Sequence, residues 1–361
     1  MATAWKTFSA AAAALLLLPG ACHGQELVET CEQLLAAFEL TRTQDVTVQI
    51  SPAADIECAT YTNMTMSSNS LTVVSSEDLE RFQATTSLDR VRFEVTNGAR
   101  LSWETNVLFD GFGDEGEQHN NDGGALFIGE GSDVRFLNDM EMREYSIVNE
   151  RDEDSDSASF RRSGGCVWNS GSFRVAGEAI FSGCDISGAG ESRPGPGGAV
   201  FVGETGFVLF SGELTITDTF IRDDGGGQGG GIFNLGRVNV RGNARFEELS
   251  AAQGGAIFNG ENASFNFRSG ATALFRDVSN RDAEGSAVFN LGFFRFSGPA
   301  LFVDAEAPAI VGTDGSETRL SGDSAFWDFS DEGLDAIRLD GSAKINIPSS
   351  VSFVGFVGPD I

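Results

Sequence analysis

The chain spells one short word repeatedly. Gly254-Gly255-Ala256-Ile257-Phe258-Asn259 has counterparts at Gly123-Gly124-Ala125-Leu126-Phe127, Gly164-Gly165-Cys166-Val167-Trp168-Asn169, Gly197-Gly198-Ala199-Val200-Phe201, Gly229-Gly230-Gly231-Ile232-Phe233-Asn234 and Gly285-Ser286-Ala287-Val288-Phe289-Asn290. Successive copies begin 41, 33, 32, 25 and 31 residues apart. A period in this range marks an architecture in which one supersecondary unit stacks on the next, and it outranks every other reading of the chain.

Three short strands can be read in each repeat. The word is the first. The second has the form apolar–x–apolar: Val134/Phe136, Phe173/Val175, Val208/Phe210, Val238/Val240, Phe265/Phe267, Phe294/Phe296 and Ile345/Ile347. The residue between the apolar pair is often polar, as in Arg135, Arg174, Asn239, Asn266, Arg295 and Asn346. That is a period of two with one face buried. The third strand sets a small residue two before Phe: Ala179/Phe181, Ala244/Phe246, Ala273/Phe275, Ala300/Phe302. Hairpins inside one repeat would waste every match. Stacking equivalent strands in parallel, ~4.8 Å apart, places like above like. Right-handed connection is the default for such crossovers. The expected fold is therefore all-β, a right-handed parallel β-helix of three-strand coils. Its chief filler is Phe, with 30 residues against two Tyr.

Alternation in the first strand allows either Ala256 with Phe258, or Ile257 with Asn259, to face inward. By analogy with the third strand, Ala and Phe are read as inward. Asn169, Asn234, Asn259 and Asn290 then stack at a turn as a structural ladder that satisfies backbone groups along the axis.

The first 24 residues read as a secretory signal. Lys6 supplies the positive region, Ala10 to Leu18 the apolar stretch, and Pro19 to Gly24 a small-residue exit. Nothing later reaches the ~20 apolar residues of a membrane span. Residues 25 to 45 are assigned to an N-terminal capping helix, with helical periodicity over 26 to 40 and capping-box spacing at Thr30 and Gln33. Residues 46 to 361 are assigned to the β-helix, clearest over about 90 to 345. An open sheet edge must be covered, and the helix is placed to plug the first coil. Past residue 303 the word decays, with residues 334 to 341 its last copy. Four insertions precede copies of the word: 111 to 124, Ser146 to Arg162, 193 to 198 and 222 to 230. They are expected as loops along one edge of the column.

The formal charge is −29, and removal of the signal takes Lys6 away, leaving 23 − 53 = −30. Such a chain is not a nucleic-acid binder, which needs a basic face. Cys31, Cys58, Cys166 and Cys184 form an even set in an exported chain, read as Cys31–Cys58 and Cys166–Cys184. Four cysteines allow three connectivities, and free thiols remain an alternative. Export also makes Asn63-Met64-Thr65 and Asn262-Ala263-Ser264 candidate glycosylation sites.

The Gly-Gly-small-aliphatic words at Gly123, Gly164, Gly197, Gly229 and Gly254 resemble the repeats of chlamydial polymorphic outer-membrane proteins. More broadly, the chain is similar to the right-handed parallel β-helix, or pectin-lyase-like, superfamily. The companion Phe-x-x-Asn word of those repeats is missing: Phe181 is followed at that spacing by Cys184, Phe246 by Leu249 and Phe275 by Val278. The resemblance implies a fold and an adhesive role. It also raises catalysis on acidic polysaccharides, where a base such as Lys, Arg or His works beside an acidic cluster. After the signal the chain holds one Lys, Lys344, and one His, His119, while Asp223-Asp224 lies in a glycine-rich loop. The Gly-His-Gly and Arg-Ile-Lys words of polygalacturonase-like enzymes are absent. Asp152, Asp154 and Asp156, with Glu150 and Glu153, are the best oxygen ligands for a weak Ca²⁺ site, as are Asp114, Glu115 and Glu117, but neither run has EF-hand spacing. No other cofactor is expected.

The resulting expectation is a secreted, non-catalytic scaffold for recognition or adhesion at a cell surface or in extracellular matrix. Its partner would be an extracellular glycan or a cell-surface protein. The rival is a polysaccharide lyase or epimerase. The feature that separates them is an outward cluster of Arg with Asp on one sheet face.

Overall fold

The structure is a computed structural model, and it describes residues 26–51, 53–76, 85–111, 123–149, 163–188, 196–222, 227–306, 308–327 and 336–354. Among them is one α-helix, Cys31–Leu40; strand makes up over half of the rest, in two large sheets whose pairings are parallel throughout. These long stacked arrays are compatible with a parallel β-helix.

One sheet has twelve strands, built from the second strand of each repeat. It runs from Glu26–Val28 through Val46–Ile50, Ser70–Ser75, Arg100–Trp103, Asp133–Phe136 and onward to Lys344–Asn346. The other sheet has 21 strands and contains the ladders of first and third strands. Register is like on like: Ile232 pairs with Ile257 and then Val288, Phe246 with Phe275 and then Phe302.

Two glycine roles explain the word. The first Gly of each copy has positive φ, between 59° and 80°, which only Gly adopts without a Cβ penalty. A Cβ on the second Gly would strike backbone of the neighbouring coil: Gly165 would meet the carbonyl of Gly198, and Gly198 that of Gly230. At Gly165 and Gly198 the neighbouring carbonyl therefore leaves no room for a side chain, whereas the copy beginning at Gly285 carries Ser286 at this position.

A second corner was not anticipated. At the end of the third strand Arg90, Glu144, Gly183, Asp218, Glu248, Asp277 and Asp304 all take positive φ, 49° to 61°. Glu144 to Asp304 occupy successive rungs, as the pairings of Thr217 with Glu247 and Glu247 with Arg276 show, and Arg90 lies two rungs before Glu144. Beyond this corner the chain runs on as a further short parallel ladder, in which Ile147 pairs with Ile186 and Ile186 with Ile221. Ser146–Asn149 is thus a strand, not the start of a loop. Alternate apolar residues reach inward there: Ile147 and Ile186 are fully buried.

The first strand also corrects its expected face. Ile257 and Asn259 are inward and fully buried, whereas Phe258 belongs to a separate outer cluster with Phe233, Phe289 and Val311. Parity decides this. The Asn side chain must cross the turn to bond backbone of the next coil, as Asn259 does to Phe293 O at 3.2 Å; the residue before it then faces out. The third strand keeps its expected parity, with Ala179, Phe181, Ala273 and Phe275 all at 0% exposure.

At the N-terminus the helix starts later than its apolar pattern. Thr30 is extended (φ −132°, ψ 159°) and forms a reciprocal capping box with Gln33, so helix begins at Cys31. Glu26–Val28 ahead of it is a strand pairing with Val46–Ile50. Leu34 and Phe38 are fully buried, and the Phe38 ring lies 4.7 Å from that of Phe93. Near the C-terminus the first-strand ladder continues through Ile310–Gly312, a copy hidden by its lack of Gly-Gly, and then Ile337–Leu339. Ile345 is half-buried there and Ile347 exposed, so the expected second-strand pair fails at Ile347.

Candidate functional site: the outer face of the twelve-strand sheet

Because Val134 and Phe136 point inward, Asp133 and Arg135 point out. Following the register, one outward column reads Arg100, Asp133, Ser172, Phe207, Arg237, Ser264, Phe293, Glu317, Lys344. The column beside it reads Ser102, Arg135, Arg174, Leu209, Asn239, Asn266, Arg295, Arg319, Asn346. These positions carry seven cations (Arg100, Arg135, Arg174, Arg237, Arg295, Arg319, Lys344) and two acids (Asp133, Glu317), on a chain with 24 cations and 53 acids in all. The flat face is therefore positive on a strongly negative molecule.

Its side chains interlock. Arg135 Nε lies 2.6 Å from Asp133 Oδ2, and Arg319 Nε lies 2.5 Å from Glu317 Oε1. Arg174 Nε faces Asp133 Oδ1 at 3.9 Å, too far for a hydrogen bond, and neither atom has another partner. The Phe207 ring has Arg174 at 5.7 Å and Arg237 at 6.0 Å from its centroid, and Arg319 sits 5.5 Å from that of Phe293. Such cation–π contacts hold guanidinium groups flat without neutralising them. Two acids against seven cations leave the surplus facing solvent, with Arg135, Arg174 and Arg319 side chains 48%, 42% and 41% exposed.

Acids collect elsewhere. On the outer face of the third-strand ladder Glu57, Asp89 and Asp110 are successive rungs. Partial burial pushes the Asp89 carboxyl above its ordinary value, opposed by the Ser87 hydroxyl and reinforced by Asp110, Asp55 and Glu57. Arg143 closes this column on Asp110, with Nη2 at 2.5 Å and Nε at 3.0 Å. Glu178 is raised likewise by burial and by Glu213, Asp139 and Glu141.

The residues singled out by sequence divide as follows. Cys31–Cys58 and Cys166–Cys184 are disulfides, the first tying the helix to a strand and the second bridging the first-strand word to the corner after the third strand. Asn234 donates to Asn259 and Asn259 to Asn290, each at 2.8 Å, while Asn234 Oδ1 and Asn290 Oδ1 accept the N–H of Gly236 and Gly292. Asn169 is separated from that run by Val202 and bonds Phe207 O and Gly171 N on its own. All four are fully buried inside the coil. Asp152, Asp154 and Asp156, the other calcium candidates, His119 and Asp223-Asp224 lie outside the described residues. Among the described residues no group of three or more His, Cys, Asp or Glu is placed to hold a metal, and no helix is long and apolar enough to cross a membrane.

One feature escaped the sequence reading because it depends on the overturned face. Phe127, Trp168, Phe201, Phe233, Phe258 and Phe289 form an outer stack, with neighbouring centroids 4.4 to 5.7 Å apart and planes within 14°. Arg92 covers the end at Phe127, 5.5 Å from its centroid. Rings stacked this way spend their faces on one another. They offer only edges outward, a poor platform for a planar ligand, which needs an open face. The twelve-strand face is the better candidate.

The chain matches no family model, no curated protein and no solved structure. The superfamily resemblance noted from the words is thus supported by the stacked parallel arrays alone.

Proposed function

We propose that this protein is a secreted, non-catalytic recognition scaffold: a right-handed parallel β-helix of three main strands per coil, its first coil plugged by the helix Cys31–Leu40. Phe38 seated on Phe93 supports the plug, and the two disulfides support an oxidising compartment outside the cytosol. The ligand is an extended acidic glycan of a cell surface or matrix, lying along the outer face of the twelve-strand sheet. The observation that carries this is the excess of cations over acids on that face, interleaved with Phe207 and Phe293, against a charge of −29 overall. Parallel rungs ~4.8 Å apart repeat the same donors at a constant interval, which suits a polymer more than a single small molecule. Arginine's planar fork matches carboxylate and sulfate oxygens.

The test is binding of the secreted chain to immobilised acidic and neutral polysaccharides. Acidic polymers are expected to bind, with affinity falling as salt screens the face. Replacement of Arg135, Arg174 and Arg237 by Ser should abolish most of that binding. Retention of binding in that variant, or equal binding to neutral polymers, overturns the assignment. Sequencing the N-terminus of the exported chain checks the signal, with Gln25 expected first.

A second reading has an observation of its own. Asp133 with Arg135 and Arg174 is an outward Arg–Asp cluster, the feature separating a lyase or epimerase from a passive binder. Arg174 would serve as base and Asp133 would orient it or the substrate. Incubation with pectate, alginate and glucuronan, with and without Ca²⁺, while following the ultraviolet absorbance of unsaturated product, decides between them. Turnover lost in Arg174→Lys would displace the scaffold reading.

A further inference from the structure

The two sequons differ in what the fold does with them. Asn63 stands in the middle of the strand Asp55–Met66, and its amide is engaged on both sides. Its Oδ1 accepts from Arg92 Nη1 at 3.1 Å, and its Nδ2 donates to Glu94 Oε2 at 3.1 Å. Arg92 is itself 4% exposed and pinned by its Nε to Gly123 O at 3.0 Å. A sugar on that nitrogen would have to displace Glu94 and the guanidinium beside it.

Asn262, exposed like Asn63, differs in the state of its amide. It sits at the tip of the turn between Ile257–Asn259 and Ser264–Phe267, exposed, with φ +61°. Asn is among the few residues that tolerate this backbone region. Its side chain makes no hydrogen bond among the described residues. Beside it opens a cleft of about 540 Å³ whose lining includes Leu291, Phe293, Asp314 and Glu317. Asp314 is held ionised by hydrogen bonds from Ser342, which lower its carboxyl below the usual range. Ligand sites pair apolar contact area with a few polar groups, and this cleft offers Leu291 and Phe293 beside Asp314 and Glu317.

We infer that Asn262, and not Asn63, is the N-glycosylated residue of this chain, with its first sugars seated in the adjoining cleft. The inference rests on the export reading above and not on the acidic-glycan ligand. It deepens the account of the recognition face by marking its limit. The attached sugar covers the face at Phe293 and Glu317, short of its far end at Lys344, and leaves the stretch from Arg100 to Arg237 open.

The full chain is secreted from a eukaryotic host, and its intact mass is measured before and after peptide N-glycosidase F on denatured protein. One glycan is expected, lost in Asn262→Gln and in Ser264→Ala and kept in Asn63→Gln. Tryptic glycopeptide mapping of the unaltered chain reads occupancy directly, so a poorly secreted variant does not remove the test. An unmodified Asn262, or occupancy at Asn63, overturns the assignment. Seating is read from enzymatic release on the native protein. Removal should be several-fold slower than from denatured protein, and Phe293→Ser should abolish that protection. Equal rates in the native and denatured states overturn the seating. Acidic-polymer binding measured on glycosylated protein and Asn262→Gln protein separates this result from the recognition reading, since either can fail alone.

Discussion

Two columns of stacked aromatic rings run along the same axis in this molecule. The inner one passes through Phe246, Phe275, Phe302, Phe326 and Phe353 at 4.6 to 5.3 Å; the outer one runs from Phe127 to Phe289 at 4.4 to 5.7 Å. Ring spacing and tilt barely distinguish them, because both follow from parallel rungs in register. Their surroundings do. Phe275 meets Phe267 and Phe296 edge-on as well as its two stacked neighbours, and is fully buried. Among the described residues Phe201 has as ring neighbours only Trp168 and Phe233, both stacked, and it is half-buried. Stacking is thus a property of the repeat, whereas packing on all sides is a property of the interior.

The comparison can be broken by substitution, beginning where the effect is greatest. Phe275→Ala should cost about 3–5 kcal/mol, because the cavity is walled by rings that cannot all collapse. Denaturant unfolding reads it, and a loss equal to that of an outer ring would erase the distinction. Asn259→Leu comes next. It leaves Asn234 Nδ2 and the Phe293 carbonyl short of partners inside the coil, at about 1–3 kcal/mol. It also removes the reason the neighbouring Phe258 faces out, so a near-neutral result would show that the outer stack holds that parity unaided. Phe201→Ala in the half-buried outer stack should cost about 1 kcal/mol, set by partial burial and one aromatic pair on each side. The smallest expected change is at Asp89. Its carboxyl is raised in the fold, so the folded state binds that proton more tightly than the unfolded chain. Its contribution is present below the ordinary carboxylate range and is lost as pH rises through the raised value. Asp89→Asn should therefore raise the midpoint of thermal unfolding slightly at pH 7 and leave it unchanged in strong acid. A lower midpoint at pH 7 would contradict the repulsion drawn for Glu57, Asp89 and Asp110.

Legibility followed chemistry that depends on neighbours in sequence. The Gly-Gly words announced parallel stacking because their two glycines have local jobs, positive φ and close approach. Ala179 and Phe181 gave their face away by alternation within four residues. The corner at Glu144, Asp218, Glu248, Asp277 and Asp304 went unseen because these residues hold a left-handed conformation that no glycine advertises; the surrounding ladder imposes it at a cost of about 1–2 kcal/mol each. The rung at Ile310–Gly312 was hidden likewise, since Ala307 and Pro308 stand in the sequence where the glycines would. On the candidate face the column of Arg135, Arg174 and Arg295 was visible as the polar residue between apolar ones. Its companion Asp133, Phe207, Arg237 and Phe293 was not, because membership there depends on where each strand begins.

By itself the sequence determined that equivalent segments lie over one another and which residue types fill the third strand's interior, while the pairing of the cysteines stayed open until the structure showed it. Those properties repeat with the chain and need no knowledge of what faces them. Only the tertiary structure decided which side of the first strand is inside, since a three-residue strand alternates too briefly to declare it and the asparagine's reach to the next coil settles the matter. It also decided where charge goes. Seven cations scattered over more than 240 residues become one surface only when the rungs are stacked.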